Sequence, residues 1–248
     1  MGGKGKRLRD NFLVVIIVAT LCVTFGYVVG NLIGGWLDIS ISAPVGTILA
    51  VLLYMLIARV EIIGRCFTGY RADSLWLLLW GFCAGVLYYI LTLVVCVWKG
   101  VLGSDVTTYP LITVFILFCS ALLTALVQEL VCRGFIYYFL LDRYDSIIAI
   151  LFNTLFFVAM AVPYTTFIGS ATAVVTSVYA LNLFLFGLAM TFAVHYRGSI
   201  WFAFAFHTTW LFTGNFLPDV MYNYITSIML AVLCLILYLR GRGIKVKF

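Results

Sequence analysis

The chain has 248 residues, 65% of them hydrophobic and 10% charged, with a net charge of +6 and a mean hydropathy of +1.17; soluble domains are about 45–50% apolar and roughly 25% charged. A soluble globular fold is excluded. In a bilayer every backbone polar group needs an internal partner, and long apolar runs without alternation favour helices over a closed barrel.

The apolar runs predict an all-α integral membrane protein, a bundle of about eight transmembrane helices near residues 11–37, 44–62, 75–98, 109–141, 146–163, 172–194, 199–216 and 222–239. Breaks fall at Asp38 to Pro44, Gly64 to Asp73, Lys99 to Thr108, Asp142 to Asp145, Pro163 to Ser170, Arg197-Gly198 and Pro218-Asp219. With four prolines, no low-complexity stretch and no evident repeat, residues 1–248 read as a single polytopic domain. Met1 to Arg7 leads into an apolar run longer than the ~7–15-residue core of a signal peptide, which predicts an uncleaved first helix.

The cations set the orientation. Lys4, Lys6, Arg7 and Arg9 lie at one end and Arg240, Arg242, Lys245 and Lys247 at the other. With eight spans, Arg59, Arg65, Arg71, Arg143 and Arg197 fall on the same side as both ends, and Lys99 alone lies opposite. Lys and Arg concentrate in cytoplasmic loops, so both termini are predicted to be cytoplasmic. No basic stripe with interleaved aromatics lies outside the apolar spans, so membrane lipids are the expected surroundings and no nucleic-acid partner is expected. The seven cysteines form no CxxC pair and mostly sit within apolar runs, where they read as small packing groups. A prokaryotic plasma membrane fits these features.

Three ionisable side chains lie deep in apolar sequence: Glu129, Arg133 and His207. Such groups in hydrocarbon cost several kcal/mol unless paired, hydrated or neutralised, which makes each a functional-site candidate. Glu129 and Arg133 stand at i and i+4 on the fourth span and share a helix face, where they can pair. That pair can serve chemistry or simply hold helices together. At ~1.5 Å rise per residue, Arg133 and His207 each lie about 12 Å from the inner ends of their spans, and Glu129 about 18 Å. Asn153 and Asn182 fall at similar depths, with Gln128 and Thr208 close by. Such a layer can line a hydrated cavity or act as polar glue between helices, and depth alone does not choose. Ligand spacing for a metal is lacking, so neither a metal nor another cofactor is expected. His195, just before Tyr196-Arg197, reads as interfacial.

The segment Gln128-Glu129-Leu130-Val131-Cys132-Arg133-Gly134-Phe135 resembles the EExxxR motif of the CPBP family, the CAAX proteases and bacteriocin-processing (Abi-type) enzymes. Asn182 to Gly187, Tyr196 to Trp201 and His207-Thr208-Thr209-Trp210 are similar to that family's later helices, so the likeness covers about residues 109–216 as a CPBP-like core. The resemblance implies a glutamic intramembrane endopeptidase site: the first Glu of the pair activates water, while a His in FxxxH and the His and Asn or Asp of HxxxN/D assist it. Here Gln128 stands at the first Glu, Met160 at the His of FxxxH and Leu211 at the Asn/Asp, whereas Glu129, Arg133 and His207 are kept. A neutral amide cannot take the water's proton, and each missing donor or base is worth orders of magnitude in rate.

Glu129, Arg133 and His207 are therefore the residues expected to carry whatever chemistry this site has. Asn153, Asn182, Thr208 and Asn215 are expected to line a cavity, Asn215 partly replacing the missing amide one turn beyond Leu211. The expected function is that of a CAAX-protease-like membrane protein without peptidase activity: a regulator, partner subunit or bacteriocin self-immunity protein acting on a membrane protein or lipidated peptide. The alternative is a divergent endopeptidase that processes a lipidated or peptide precursor, with Glu129 as base. A transporter or channel, or a group-transfer enzyme using His207, are further readings of the same polar layer.

Overall fold

A computed structural model describes residue 32 and residues 74–100, 109–168, 173–216 and 224–241, with side chains given through residue 161 and again from residue 177 within the third of these long stretches. The chain divides into two compact units, residues 1–65 and 66–248, and the following concerns the second. The predicted spans 11–37 and 44–62, the extent of the expected single domain over residues 1–65 and the cytoplasmic placement of the termini lie outside the described residues.

All regular structure among the described residues is helical: α1 (Ser74–Trp98), α2 (Leu111–Glu129), a π-helical segment (Leu130–Ile136), α3 (Tyr137–Leu141), α4 (Ser146–Ile168), α5 (Ala173–Arg197), α6 (Trp201–Gly214) and α7 (Tyr224–Gly241). Each of the last six predicted spans coincides with helix. Four stretches, Ser74–Trp98, Leu111–Leu141, Ser177–Arg197 and Tyr224–Gly241, are long and apolar enough to cross a membrane, and α4 offers a shorter apolar run, Ser146–Ala161. At 14 residues α6 is shorter than the predicted 199–216 and reaches about 21 Å at 1.5 Å per residue.

Two differences from the sequence reading concern how helices continue. Pro163, expected to open a break, lies inside α4, which runs on to Ile168. In apolar surroundings no water takes over the backbone groups that an earlier end would free, so a proline is carried within the helix. The predicted uninterrupted helix 109–141 instead changes at Leu130 to the wider π form, closed by the Tyr137 N–H donating to the Cys132 carbonyl. Elsewhere the breaks follow the sequence: Gly198 has φ +65° and its N–H donates to the Val194 carbonyl at 2.8 Å, closing α5 at the expected Arg197-Gly198. That left-handed conformation carries no penalty for glycine.

Lipid tails are as apolar as leucine, so helices associate through close packing and polar ties rather than hydrophobic burial. Gly81 and Gly85, one turn apart on α1, supply the close packing. A Cβ on Gly81 would lie 2.5 Å from the Phe202 carbonyl oxygen and 2.8 Å from the Ala205 Cβ, and one on Gly85 would lie 2.8 Å from the Thr209 Cβ. With Tyr88 against Phe206 and Trp210, these contacts set α1 and α6 parallel. The other face of α1, including Leu75, Leu79, Leu87 and Val94, is exposed and apolar, as a lipid-facing surface requires.

The remaining pairings follow from which residues meet. Phe118 with Phe212 and Tyr109 with Phe216 make α2 and α6 antiparallel. Asn153 with Thr191 and Phe157 with Phe186 make α4 and α5 antiparallel. Asn182 with Ser227 and Phe192 with Tyr238 make α5 and α7 parallel. The π segment is thereby enclosed by α4, α5 and α6, and Val131, Cys132, Arg133, Gly134 and Ile136 are all buried.

Candidate functional site: a buried carboxylate held by Arg133 and His207

Glu129 ends α2, Arg133 lies one turn on in the π segment, and His207 sits midway along α6. The fold brings the three together. Glu129 Oε1 accepts a hydrogen bond from Arg133 Nη1 at 2.9 Å and lies 2.7 Å from His207 Nδ1. An oxygen already bound to the guanidinium is the acceptor there, so the shared proton is assigned to His207 Nδ1. All three side chains are buried, Glu129 and Arg133 completely. π-helical turns inside α-helices recur at functional positions, and this one falls on the motif.

Arg133 makes further contacts. Its Nη2 donates to the Gly187 carbonyl at 3.3 Å, and its guanidinium lies 4.3 Å from the centre of the Phe157 ring. Gly187 leaves room for this arrangement: a Cβ there would lie 3.1 Å from Phe157 Cδ1 and 3.3 Å from Thr154 Cγ2. The same carbonyl accepts from Thr191 Oγ1 at 2.7 Å, and Thr191 Oγ1 in turn accepts from Asn153 Nδ2 at 2.9 Å. A continuous polar chain thus runs from His207 on α6 through Glu129 and Arg133 to Gly187 and Thr191 on α5 and Asn153 on α4. Phe186, 4.8 Å between ring centres from His207, and Phe157, at 5.8 Å, wall the imidazole. Three buried polar atoms on this chain have no hydrogen-bond partner among the described residues: Glu129 Oε2, Arg133 Nε and Asn153 Oδ1.

The other sequence-predicted positions are distributed differently. Gln128 is half-buried on α2, Met160 is buried on α4 and Leu211 is half-buried on α6. Asn182 is fully buried but accepts from Ser227 Oγ, tying α5 to α7 away from the carboxylate. Thr208 is also buried, and its hydroxyl donates to the Phe204 carbonyl of its own helix at 2.9 Å. Asn215 corrects the expectation placed on it. It is exposed, and its amide donates to the Leu211 carbonyl at 2.8 Å, finishing α6 instead of replacing the lost amide. The reason is positional: α6 ends at Gly214, so its next residue meets unsatisfied carbonyls of the last turn before it meets the core. Asn153 and Asn182 each make a hydrogen bond to a neighbouring helix.

Gly187, Thr191, Phe157 and Phe186 were not singled out by sequence, where a glycine, a threonine and two phenylalanines are ordinary in apolar helices. Nor was the Tyr137–His195 pair. The Tyr137 hydroxyl, on a wholly buried side chain, lies 2.6 Å from His195 Nδ1, joining α3 to the last turns of α5, so the histidine read as interfacial is half-buried in a specific contact. Tyr137→Phe is expected to lower stability by about 1 kcal/mol, the net worth of one such bond, seen as a lowered melting temperature in detergent. Among the described residues no group of three His, Cys, Asp or Glu side chains gathers as a metal site needs.

Residues 110–213 match a family model described as Type II CAAX prenyl endopeptidase Rce1-like. No curated protein and no solved structure matches the chain. The matched segment opens at the start of α2, closes near the end of α6, and contains Glu129, Arg133, His207, Gly187 and Asn153. Over this segment, the chain is similar to the Type II CAAX prenyl endopeptidases of the Rce1-like family.

Proposed function

We propose that this protein is a membrane-embedded, non-peptidase member of that family, a regulator or partner subunit that engages a membrane protein or a lipidated peptide, with self-immunity to a bacteriocin as one form of that role. The observation that carries this reading is the engagement of His207 by Glu129 Oε1, which Arg133 also holds. By the resemblance, His207 is the one histidine kept from the catalytic set, and its Nδ1 is held by a carboxylate that Arg133 also pairs. Gln128 supplies no base, Met160 no donor, and Leu211 no amide. Loss of a base and two donors removes most of the rate enhancement that peptide hydrolysis needs. About eight spans with both termini cytoplasmic, in a prokaryotic plasma membrane, remain part of the proposal.

A second reading draws on Glu129 Oε2, a buried carboxylate oxygen with no partner among the described residues. In a divergent endopeptidase that oxygen would accept the proton of the attacking water. One experiment separates the two: peptide termini are compared between membranes carrying the wild type and membranes carrying Glu129→Gln/His207→Gln at matched abundance. Unchanged termini, with the variant still folded, are the expected result. A terminus present only with the wild type would overturn the proposal and name the substrate of the second reading.

A further inference from the structure

The polar chain around Glu129 is buried, whereas two guanidinium groups at one end of the bundle are not. Arg197 closes α5 and Arg240 is the penultimate residue of α7; both are exposed. Neither has a hydrogen-bond or ion-pair partner among the described residues. The parallel packing of α5 and α7 brings these ends together. The Tyr196 ring occupies the space in which a side chain at Gly241 would sit, so the residues preceding Gly241 and following Tyr196 are held side by side. Phe192, Tyr196 and Tyr238 form an aromatic group one turn beneath: Phe192 and Tyr196 stack at 6.0 Å and 6°, and Phe192 meets Tyr238 at 5.9 Å.

Aromatic rings with polar edges, next to unpaired cations at the ends of two apolar helices, have the composition of a membrane headgroup layer. In the sequence, Arg242, Lys245 and Lys247 come within the next seven residues after Arg240. A Lys or Arg at the membrane surface favours anionic lipid by about 1 kcal/mol, roughly a fivefold gain in affinity per charge. Among the described residues, the acidic groups at this end are Asp142 and Asp145, in the turn between α3 and α4, neither on α5 nor on α7. Of those two acids, the first has an interaction of its own.

We propose that the adjoining ends of α5 and α7, with Arg197 and Arg240 over the Tyr196–Tyr238 aromatic group, form a binding site for the phosphate headgroup of an anionic phospholipid. Guanidinium forks match phosphate oxygens in pairs, and the aromatic group beneath suits the glycerol and upper acyl region. The site differs from the Glu129 cluster in position and chemistry and does not depend on whether peptide is cleaved.

The test uses the full chain purified in a neutral detergent and titrated with phosphatidylglycerol or phosphatidylcholine, following the melting temperature. Phosphatidylglycerol is expected to raise it at substantially lower concentration than phosphatidylcholine. In Arg197→Gln/Arg240→Gln, with an unchanged melting temperature before lipid is added, half-saturation should rise at least tenfold. Arg197→Lys/Arg240→Lys, which keeps both charges, should retain most of the response and guards against a Gln variant that fails to fold. Equal responses to the two lipids, or an undiminished response in the Gln variant, would overturn the proposal. So would a Lys variant that loses as much as the Gln variant. An equal shift from glycerol phosphate alone would reassign the site to a soluble anion, and full displacement by polyglutamate to an acidic protein; either result rejects the lipid site.

Discussion

Arg133→Met is expected to destabilise the protein by about 3–5 kcal/mol, because it leaves a completely buried carboxylate without its cation. Among the described residues, Glu129 Oε1 would keep only His207 as a donor, and Oε2 has no partner to take over the charge. Unfolding in detergent, by heat or by denaturing surfactant, reads the loss. Glu129→Leu combined with Arg133→Met removes both charges and should unfold closer to the wild type than Arg133→Met alone, leaving His207 Nδ1–H as the main unsatisfied group. A double variant as unstable as the single would show that lost packing volume against Phe157, rather than an unpaired charge, sets the effect.

Gly81→Val should destabilise the α1–α6 contact, with an expected loss of about 1–3 kcal/mol typical of overpacking. The obstacle is backbone: the first added carbon already falls 2.5 Å from the Phe202 carbonyl oxygen, so no side-chain rotation relieves it. Gly85→Val is expected to be milder, since its nearest neighbour is the Thr209 side chain. Cys83, exposed between the two on the same helix, is the control, and Cys83→Val should leave the melting temperature nearly unchanged. Equal effects at positions 81 and 83 would mean that helix propensity, rather than the close approach of α1 to α6, governs the response.

Both predictions touch features that differ in how legible they were. The helices were legible because hydrocarbon permits few alternatives: an apolar run of sufficient length with no competing hydrogen-bond partner becomes a helix. Thus Ser74–Trp98 lies within one residue of the expected 75–98. The pairing of Glu129 with Arg133 was also legible, as a four-residue spacing on one helix. Gly81 and Gly85 were not singled out by sequence, and only the fold shows that their spacing lets α1 approach α6 closely.

The sequence by itself determined that the chain is helical and apolar enough for a membrane and that Glu129, Arg133 and His207 lie deep in apolar runs, while the substitutions at Gln128, Met160 and Leu211 have meaning only through the family resemblance. Tertiary structure alone decided that His207 meets Glu129 across 78 positions of sequence, that Gly187 offers Arg133 its carbonyl, that Asn153 joins that chain while Asn182 ties a different helix, and that Asn215 remains at the surface. The reason is geometric. Local spacing fixes which side chains share a helix face, but hydrogen bonds act over about 3 Å, and only the packing of separate helices brings distant faces that close.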